Sequence, residues 1–303
     1  MYGCRASVLD LSPIYEGVDP YTALQESVLL AQKAEEWGYS RYWVSEHHDM
    51  PQLASSTPEV LLAHIGAKTR SIRIGSGAVL LPNYRPYKVA EAFGLLATLY
   101  PGRVDLGIGR APGGSAHASL ALCGNFLEQV GKMNELVEDL SALLLQEFTV
   151  EGQPVVARPV PPVPAQLWLL GTNQKSAQFA ADHGAGYVFG HFMSEQDGGE
   201  IVSLYRERFQ PSRHHREPNV IVAVGVICAE TDEEAQRLAS KRERPLGSTI
   251  VGGPKRVQRE LAEVADKCRA NELMIVTDLP DYEKRLRSYE WLARSVFSLD
   301  ASM

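Results

Sequence analysis

Cysteine is scarce in this 303-residue chain. There are four, Cys4, Cys123, Cys228 and Cys268, and no two stand in a Cys-x-x-Cys pair. That spacing offers neither a zinc site nor a disulfide frame, and it fits reduced thiols in a cytoplasmic protein. Basic residues are not in excess: 30 Lys and Arg face 37 Asp and Glu, a net charge of −7. Phosphate-backbone binding needs a concentrated basic surface, so nucleic acid is not the expected partner. No stretch approaches the roughly 18 uninterrupted apolar residues of a membrane helix. Met1 to Ala6 show no basic stretch leading into an apolar run, so no secretory signal is predicted. Also missing are an early Gly-x-Gly-x-x-Gly turn, a Walker loop, a Gly-x-Ser-x-Gly elbow and a zinc-protease helix.

What is present is a regular alternation. With 45% hydrophobic and 22% charged residues the chain is a folding one, and its length suits one α/β barrel spanning residues 1–303. Predicted strands cover Ser7–Leu11, Arg41–Ser45, Ile72–Leu81, Arg103–Gly109, Gln166–Gly171, Gly186–Gly190, Val220–Cys228 and Glu272–Thr277. Amphipathic helices lie between them. After the third strand, Val89, Phe93, Leu96 and Tyr100 share one helical face. A long helix is expected from about Ser119 to Glu147, and a last one from Asp281 to Phe297. Val251-Gly252-Gly253-Pro254 reads as a tight turn opening a helix. Eight strands separated by helices favour a closed (β/α)8 TIM barrel over an open doubly wound sheet, and such barrels work at the C-terminal ends of their strands.

The strand ends supply the candidates. The second ends in Glu46-His47-His48. Neighbouring strand residues face opposite ways, so at most one of the two histidines faces the pocket. There it would serve as general acid or base near neutral pH, the competing reading being a packed or capping histidine. One Glu and one His from a single loop leave the other metal ligands unnamed, so no metal is predicted. Gly77 and Ala78 close the third strand with little bulk, which suits a flat ring against the backbone or a tapering barrel wall. On the fourth, Gly107 and Gly109 leave their face without side chains beyond Asp105. Arg110 then projects past the strand end into a flexible glycine turn, where a guanidinium suits a phosphate or a surface carboxylate. The fifth ends in Gly171-Thr172-Asn173-Gln174-Lys175-Ser176 before a helix, a place for an anion or an ordinary N-cap. Phe189, Gly190, His191 and Phe192 add aromatic surface at the sixth.

In this order, Glu46-His47-His48, Ile74–Pro82, Arg85-Pro86-Tyr87-Lys88-Val89-Ala90-Glu91 and Gly102–Arg110 make the chain resemble the bacterial luciferase-like flavin monooxygenases over nearly its whole length. The resemblance implies FMN at the C-terminal strand ends. Its phosphate would be held by Arg110, Asn173 and Ser176. Its ring would lie against a Gly77–Ala78 bulge that often contains a cis peptide bond. His47 would act as the acid/base near the flavin, and Glu91 would support subunit contacts or the site. It also implies a separate reductase supplying reduced FMN, O2 as co-substrate, a small substrate such as an aldehyde, and a homodimer.

Three departures qualify this expectation. Gly109 stands where luciferase carries a cysteine beside the flavin, so light emission is not predicted. The segment from Gln236 to Ile250 is short where family members carry a long lid. Some relatives use a deazaflavin instead of FMN, and phosphate-binding residues alone do not separate the two. A deazaflavin-dependent hydride-transfer enzyme and a non-catalytic flavin-binding or partner subunit therefore stand beside the monooxygenase reading. A flavin-free aldolase or isomerase lacks an evident catalytic lysine.

Overall fold

The structure, a computed structural model, describes residues 4–242 and 246–297. In chain order its elements begin with β1 (Arg5–Asp10), α1 (Pro20–Glu36), β2 (Arg41–Val44), α2 (Pro58–Lys68), β3 (Arg73–Ser76), β4 (Val79–Leu80) and α3 (Pro86–Leu99). The middle of the chain forms β5 (Val104–Gly109), α4 (Ala116–Cys123), α5 (Phe126–Gly131), α6 (Met133–Leu144), β6 (Thr149–Val150), β7 (Gln153–Pro154), β8 (Gln166–Gly171) and α7 (Gln174–Asp182). The rest comprises β9 (Gly186–Gly190), α8 (Gly198–Arg208), β10 (Val220–Cys228), α9 (Asp232–Ala239), β11 (Thr249–Gly252), α10 (Pro254–Lys267), β12 (Glu272–Val276) and α11 (Tyr282–Trp291).

The parallel order β1–β2–β3–β5–β8–β9–β10–β12 returns to β1 through the β1–β12 and β9–β10 pairings. The ring is thus a closed eight-stranded parallel barrel with helices between its strands. Alternation along each strand sorts the side chains. Tyr42, Val44, Val222, Val224 and Val226 face the helices as part of the outer core. Leu9, Trp43, Trp168, Val188, Ile221, Ala223, Met274 and Val276 fill the interior.

Below that apolar layer, at the N-terminal ends of the strands, the interior is charged and closed. Arg41 Nη1 donates to Asp105 Oδ2 at 2.7 Å and its Nε to Glu272 at 3.1 Å. Arg73 also pairs with Asp105, Ser7 donates to Glu272, and Trp43 Nε1 donates to Asp105 Oδ2 at 3.1 Å. Burial pushes the Asp105 carboxyl up, but Arg41 and Arg73 outweigh it and hold the group below the usual carboxylate range. Arg41, Arg73 and, from the rim at 3.5 Å from Glu272, Arg5 meet two anions there, and each carboxylate has several donors, the condition under which buried charge is tolerated.

Four expectations change. The run 72–81 is not one strand: β3 stops at Ser76, a cis peptide bond joins Gly77 to Ala78, and β4 resumes to pair with Ile108 and Gly109 of β5. The helix expected over 119–147 is three helices. Gly124, at φ 75°, ends α4, the Asn125 side chain caps α5, and α6 stops at Leu144. The turn expected at Val251 is preceded by a strand, β11, that pairs with Gly225–Cys228 of β10 outside the barrel ring. β10 is nine residues long, so its upper half outruns the ring and needs another partner for its backbone. The last helix gives way to a π-helical stretch at Leu292–Phe297.

The face of β5 that Gly107 and Gly109 leave without side chains is filled by neighbouring protein. A Cβ at Gly107 would lie 2.1 Å from the Ser76 carbonyl oxygen and about 3 Å from Leu170 and Trp43. Gly107 therefore admits neighbouring protein. Residues 243–245, within the segment expected to be short, lie outside the described residues, as do Met1–Gly3 of the expected leaderless terminus. No helix among the described residues is long and apolar enough to cross a membrane.

Candidate functional site at the barrel mouth

The β2 end is an ordered corner. The His47 backbone N–H donates to Ser55 O at 2.9 Å, and its ring Nδ1 meets Ser45 Oγ at 3.1 Å. His47 is half-buried. Burial, and then the neighbouring His48, lower its pKa from the usual histidine value, so the ring is neutral at and above neutral pH. Glu46 turns the other way and is 3% exposed. Its carboxylate accepts from His48 Nε2 at 2.8 Å, Tyr84 OH at 3.0 Å and the Leu80 N–H at 3.2 Å. Burial raises the Glu46 pKa against the pull of those donors. Glu46 thereby ties the β2 end to β4 and to the 3-10 turn Leu81–Asn83. Sequence reasoning gave it no such role, although the carboxylate beside two histidines was the visible signal.

The glycine turn after β5 is packed, not loose. Gly113 has φ 73°, a left-handed conformation that suits glycine. A Cβ on Gly114 would lie 2.2 Å from His48 O, and the His48 N–H donates to Gly113 O at 2.8 Å. Ser115 donates to Asp49 at 2.7 Å. The β5 loop thus crosses the rim from Arg110 to the histidine corner.

Arg110 is exposed and makes no hydrogen bond or ion pair with another described residue. It lines one open cavity of about 660 Å³ with Asn173, Gln174 and Lys175 at the start of α7, and with Gln196, Asp197 and Glu200 before and within α8. The α7 start is well formed. Asn173 Oδ1 accepts the Ser176 N–H at 3.0 Å, and Ser176 Oγ accepts the Asn173 N–H at 3.2 Å, a reciprocal capping box. Ser176 Oγ also donates to Asn173 O at 2.7 Å and contacts Tyr187 OH at 3.0 Å. Its hydroxyl is therefore committed to shaping the helix mouth. The first-turn N–H groups of Gln174 and Lys175 have no acceptor among the described residues. Gln196, Asp197 and Glu200 carried no motif and were missed in the sequence. Asp197 is engaged with Lys267 at 2.7 Å.

Arg110 and Asn173 thus share a cavity, with Ser176 one turn into the helix behind it. His47, Gly77 and Ala78 do not line that cavity; they follow the ends of the neighbouring strands β2 and β3, where the Gly77 N–H donates to Val44 O at 2.8 Å. A Cβ at Gly77 would strike Leu9 at 2.7 Å, so protein packing accounts for that glycine, while Ala78 is 7% exposed. Glu91 lies on α3, and its side chain pairs with Lys88 at 3.3 Å and with no other described residue. No group of three or more His, Cys, Asp or Glu among the described residues could hold a metal ion.

A closed parallel barrel with a cation, a helix mouth and a histidine corner at the C-terminal ends of its strands has these groups where α/β barrels build their active sites. The chain belongs to the luciferase-like monooxygenase family, whose model matches residues 5–292. It is 38% identical to the uncharacterized protein YceB of Bacillus subtilis over 95% of this chain and 98% of that one. It is 34% identical to the N-acetyl-S-alkylcysteine monooxygenase of the same organism, over 97% and 98%. The crystal structure of apo-MsnO8 superposes with a TM-score of 0.90 at 36% identity, covering 98% and 99%. At the level of fold alone, the chain also matches the FMN complex of the oxygenating constituent of 3,6-diketocamphane monooxygenase (TM-score 0.75, 19% identity, 97% of each chain). It likewise matches an F420-dependent secondary alcohol dehydrogenase (0.73, 15%, covering 98% and 99%). The YceB alignment runs over 323 positions, and 95% of 303 residues is about 288, so about 35 positions of that alignment have no counterpart in this chain.

Proposed function

We propose that this protein is an FMN-dependent monooxygenase that uses reduced flavin and O2 on a small organic, aldehyde-like substrate. The observation that carries the reading is the Arg110 guanidinium, without a partner among the described residues, sharing one cavity with first-turn N–H groups of α7 that have no acceptor among them. That donor set fits a phosphate monoester: a planar cation offers two parallel N–H bonds, and the helix start adds backbone donors and a positive dipole end. Arg110, with Asn173 and Ser176 shaping the helix mouth, would hold the FMN phosphate, and Gly77–Ala78 would border the ring. When bound, reduced FMN supplies the electrons and the oxygen chemistry.

The chain's own residues supply position and proton control. His47, neutral and fixed at backbone and ring, exchanges a proton with substrate or cofactor oxygen. Glu46 holds the β2 corner against β4 so that this exchange occurs at a constant place. The Trp43–Trp168 layer, with ring centroids 6.0 Å apart, closes the site from below against water. A separate reductase delivering reduced FMN belongs to this proposal, as does a homodimer. The latter is supported by the exposed apolar side chains of Leu95 (50% exposed) and Leu99 (55%) on α3.

The test is a parallel titration of the purified protein with FMN and with the deazaflavin F420, followed by absorbance and fluorescence. Mixing with reduced FMN, O2 and an aldehyde series follows. FMN binding with oxygen-dependent product is expected. Binding of F420 alone moves the protein to hydride transfer, binding of FMN without turnover makes it a flavin-holding subunit, and binding of neither removes the proposal.

A further inference from the structure

Ser45, one residue past β2, has the inward parity of Arg41 and Trp43 and is 3% exposed. Its N–H donates to Asp10 O at 3.0 Å, and its carbonyl accepts the Ser55 hydroxyl at 2.6 Å. Its own hydroxyl has one partner among the described residues, His47 Nδ1 at 3.1 Å. His47 Nε2 has no partner among the described residues.

A serine hydroxyl carries one hydrogen and two lone pairs. Leaving the hydrogen of a buried hydroxyl without an acceptor is costly, while an idle lone pair is tolerated more readily. The acceptor within reach of Ser45 Oγ–H is the lone pair of His47 Nδ1, which exists in a neutral ring only when the proton sits on Nε2. In the opposite tautomer Nδ1–H would donate to Ser45, and the serine's own hydrogen would face nothing. We propose that Ser45 is a positioning residue that holds neutral His47 in the Nε2–H tautomer, so that the histidine presents a hydrogen-bond donor to the barrel mouth.

The chemical consequence rests on the flavoenzyme reading, whereas the tautomer does not. A neutral His47 of this form presents Nε2–H as a hydrogen-bond donor to a carbonyl or an anionic oxygen, and it can release that proton only as Nδ1 gains one, since a bare loss would leave an imidazolate. It recognises substrates and cofactors through an oxygen acceptor placed over Nε2. It does not begin by drawing a proton from a C–H or O–H acid.

The test is long-range 1H–15N correlation of the imidazoles in uniformly 15N-labelled protein at pH 8, without flavin, with His47 assigned by its loss in His47→Gln. Expected are a pyrrole-type shift at Nε2 and a pyridine-type shift at Nδ1. In Ser45→Ala both shifts move toward an average, and in Ser45→Thr, which keeps the hydroxyl, the wild-type pattern returns. A pyrrole-type Nδ1 in the wild type overturns the proposal, as does an unchanged pattern in Ser45→Ala. Should Ser45→Ala fail to fold, the wild-type and Ser45→Thr spectra decide, with a pyrrole-type Nδ1 in either counting against it. Because no flavin is present, failure of flavin binding and failure of the tautomer are read separately.

Discussion

Replacing Arg110 with alanine removes a cation that has no partner to lose among the described residues. The side chain is exposed and makes no ion pair with a described residue, so the variant should unfold at the same denaturant concentration as the wild type. Flavin affinity should fall. A hydrogen bond to a charged group contributes about 1.5–3 kcal/mol, and solvent screening at an open rim reduces this to about 1–2 kcal/mol. That corresponds to roughly a 5- to 30-fold rise in the FMN dissociation constant. The assay is quenching of flavin fluorescence on titration, run with FMN and with riboflavin, which lacks the phosphate. Arg110→Ala should weaken FMN and leave riboflavin nearly unchanged, and the gap should narrow as salt is raised. An equal loss for both ligands, or none for FMN, would refute the assignment of Arg110 to the phosphate.

Other perturbations test the frame. Asp105→Asn keeps the shape but leaves Arg41 and Arg73 short of a counter-charge in a buried site; about 3–5 kcal/mol of stability should be lost in urea unfolding, and an unchanged midpoint would count against the charged floor. Gly107→Ala places a carbon 2.1 Å from the Ser76 carbonyl and should cost about 1–3 kcal/mol, read as a lower melting temperature. Burial, and then His215 and Arg213, push His214 down to about 4. The unfolded chain takes up a proton near pH 6.5 that the native state refuses. Stability should therefore decline by up to about 3 kcal/mol between pH 6.5 and 4, and His214→Gln should flatten that slope. Asp10 and Asp105, with native pKa values below the usual range, act in a separate window. Their contribution is complete above roughly pH 4 and is lost as pH falls through their native values.

Much of the barrel was legible because its signals are local. Gly186–Gly190 and Val220–Cys228 are apolar runs bounded by turn residues, and the structure gives them the same limits. What escaped depended on partners distant in sequence. β11 is four residues long and exists because β10 outruns the ring, a mismatch of lengths that no single segment displays. Helices α4 to α6 follow one another closely enough to read as one helix, and two short breaks at Gly124-Asn125 and Lys132 divide them. At the site, Arg110 and the α7 start were found from strand-end logic, and they do share a cavity. Glycine is ambiguous by nature. At Gly77 the space that suited a flat ring is taken by Leu9 and Trp43, and the bare face at Gly107 by Ser76 O, Trp43 and Leu170, atoms 31 to 68 residues away along the chain. Glu46 and Ser45 escaped because their roles are defined by what they bond, Tyr84, Leu80 and the histidine rings.

The sealed end of the barrel has a kinetic consequence. Arg41, Asp105, Glu272 and the two indoles stopper the N-terminal end, so among the described residues a ligand at the mouth has no route through the barrel beneath it. Anything lodged deep must arrive before whatever settles over it and cannot depart until the upper occupant has gone. If one ligand of the proposed reaction seats beneath the other, binding would follow a compulsory order, and product-inhibition patterns would register that queue directly.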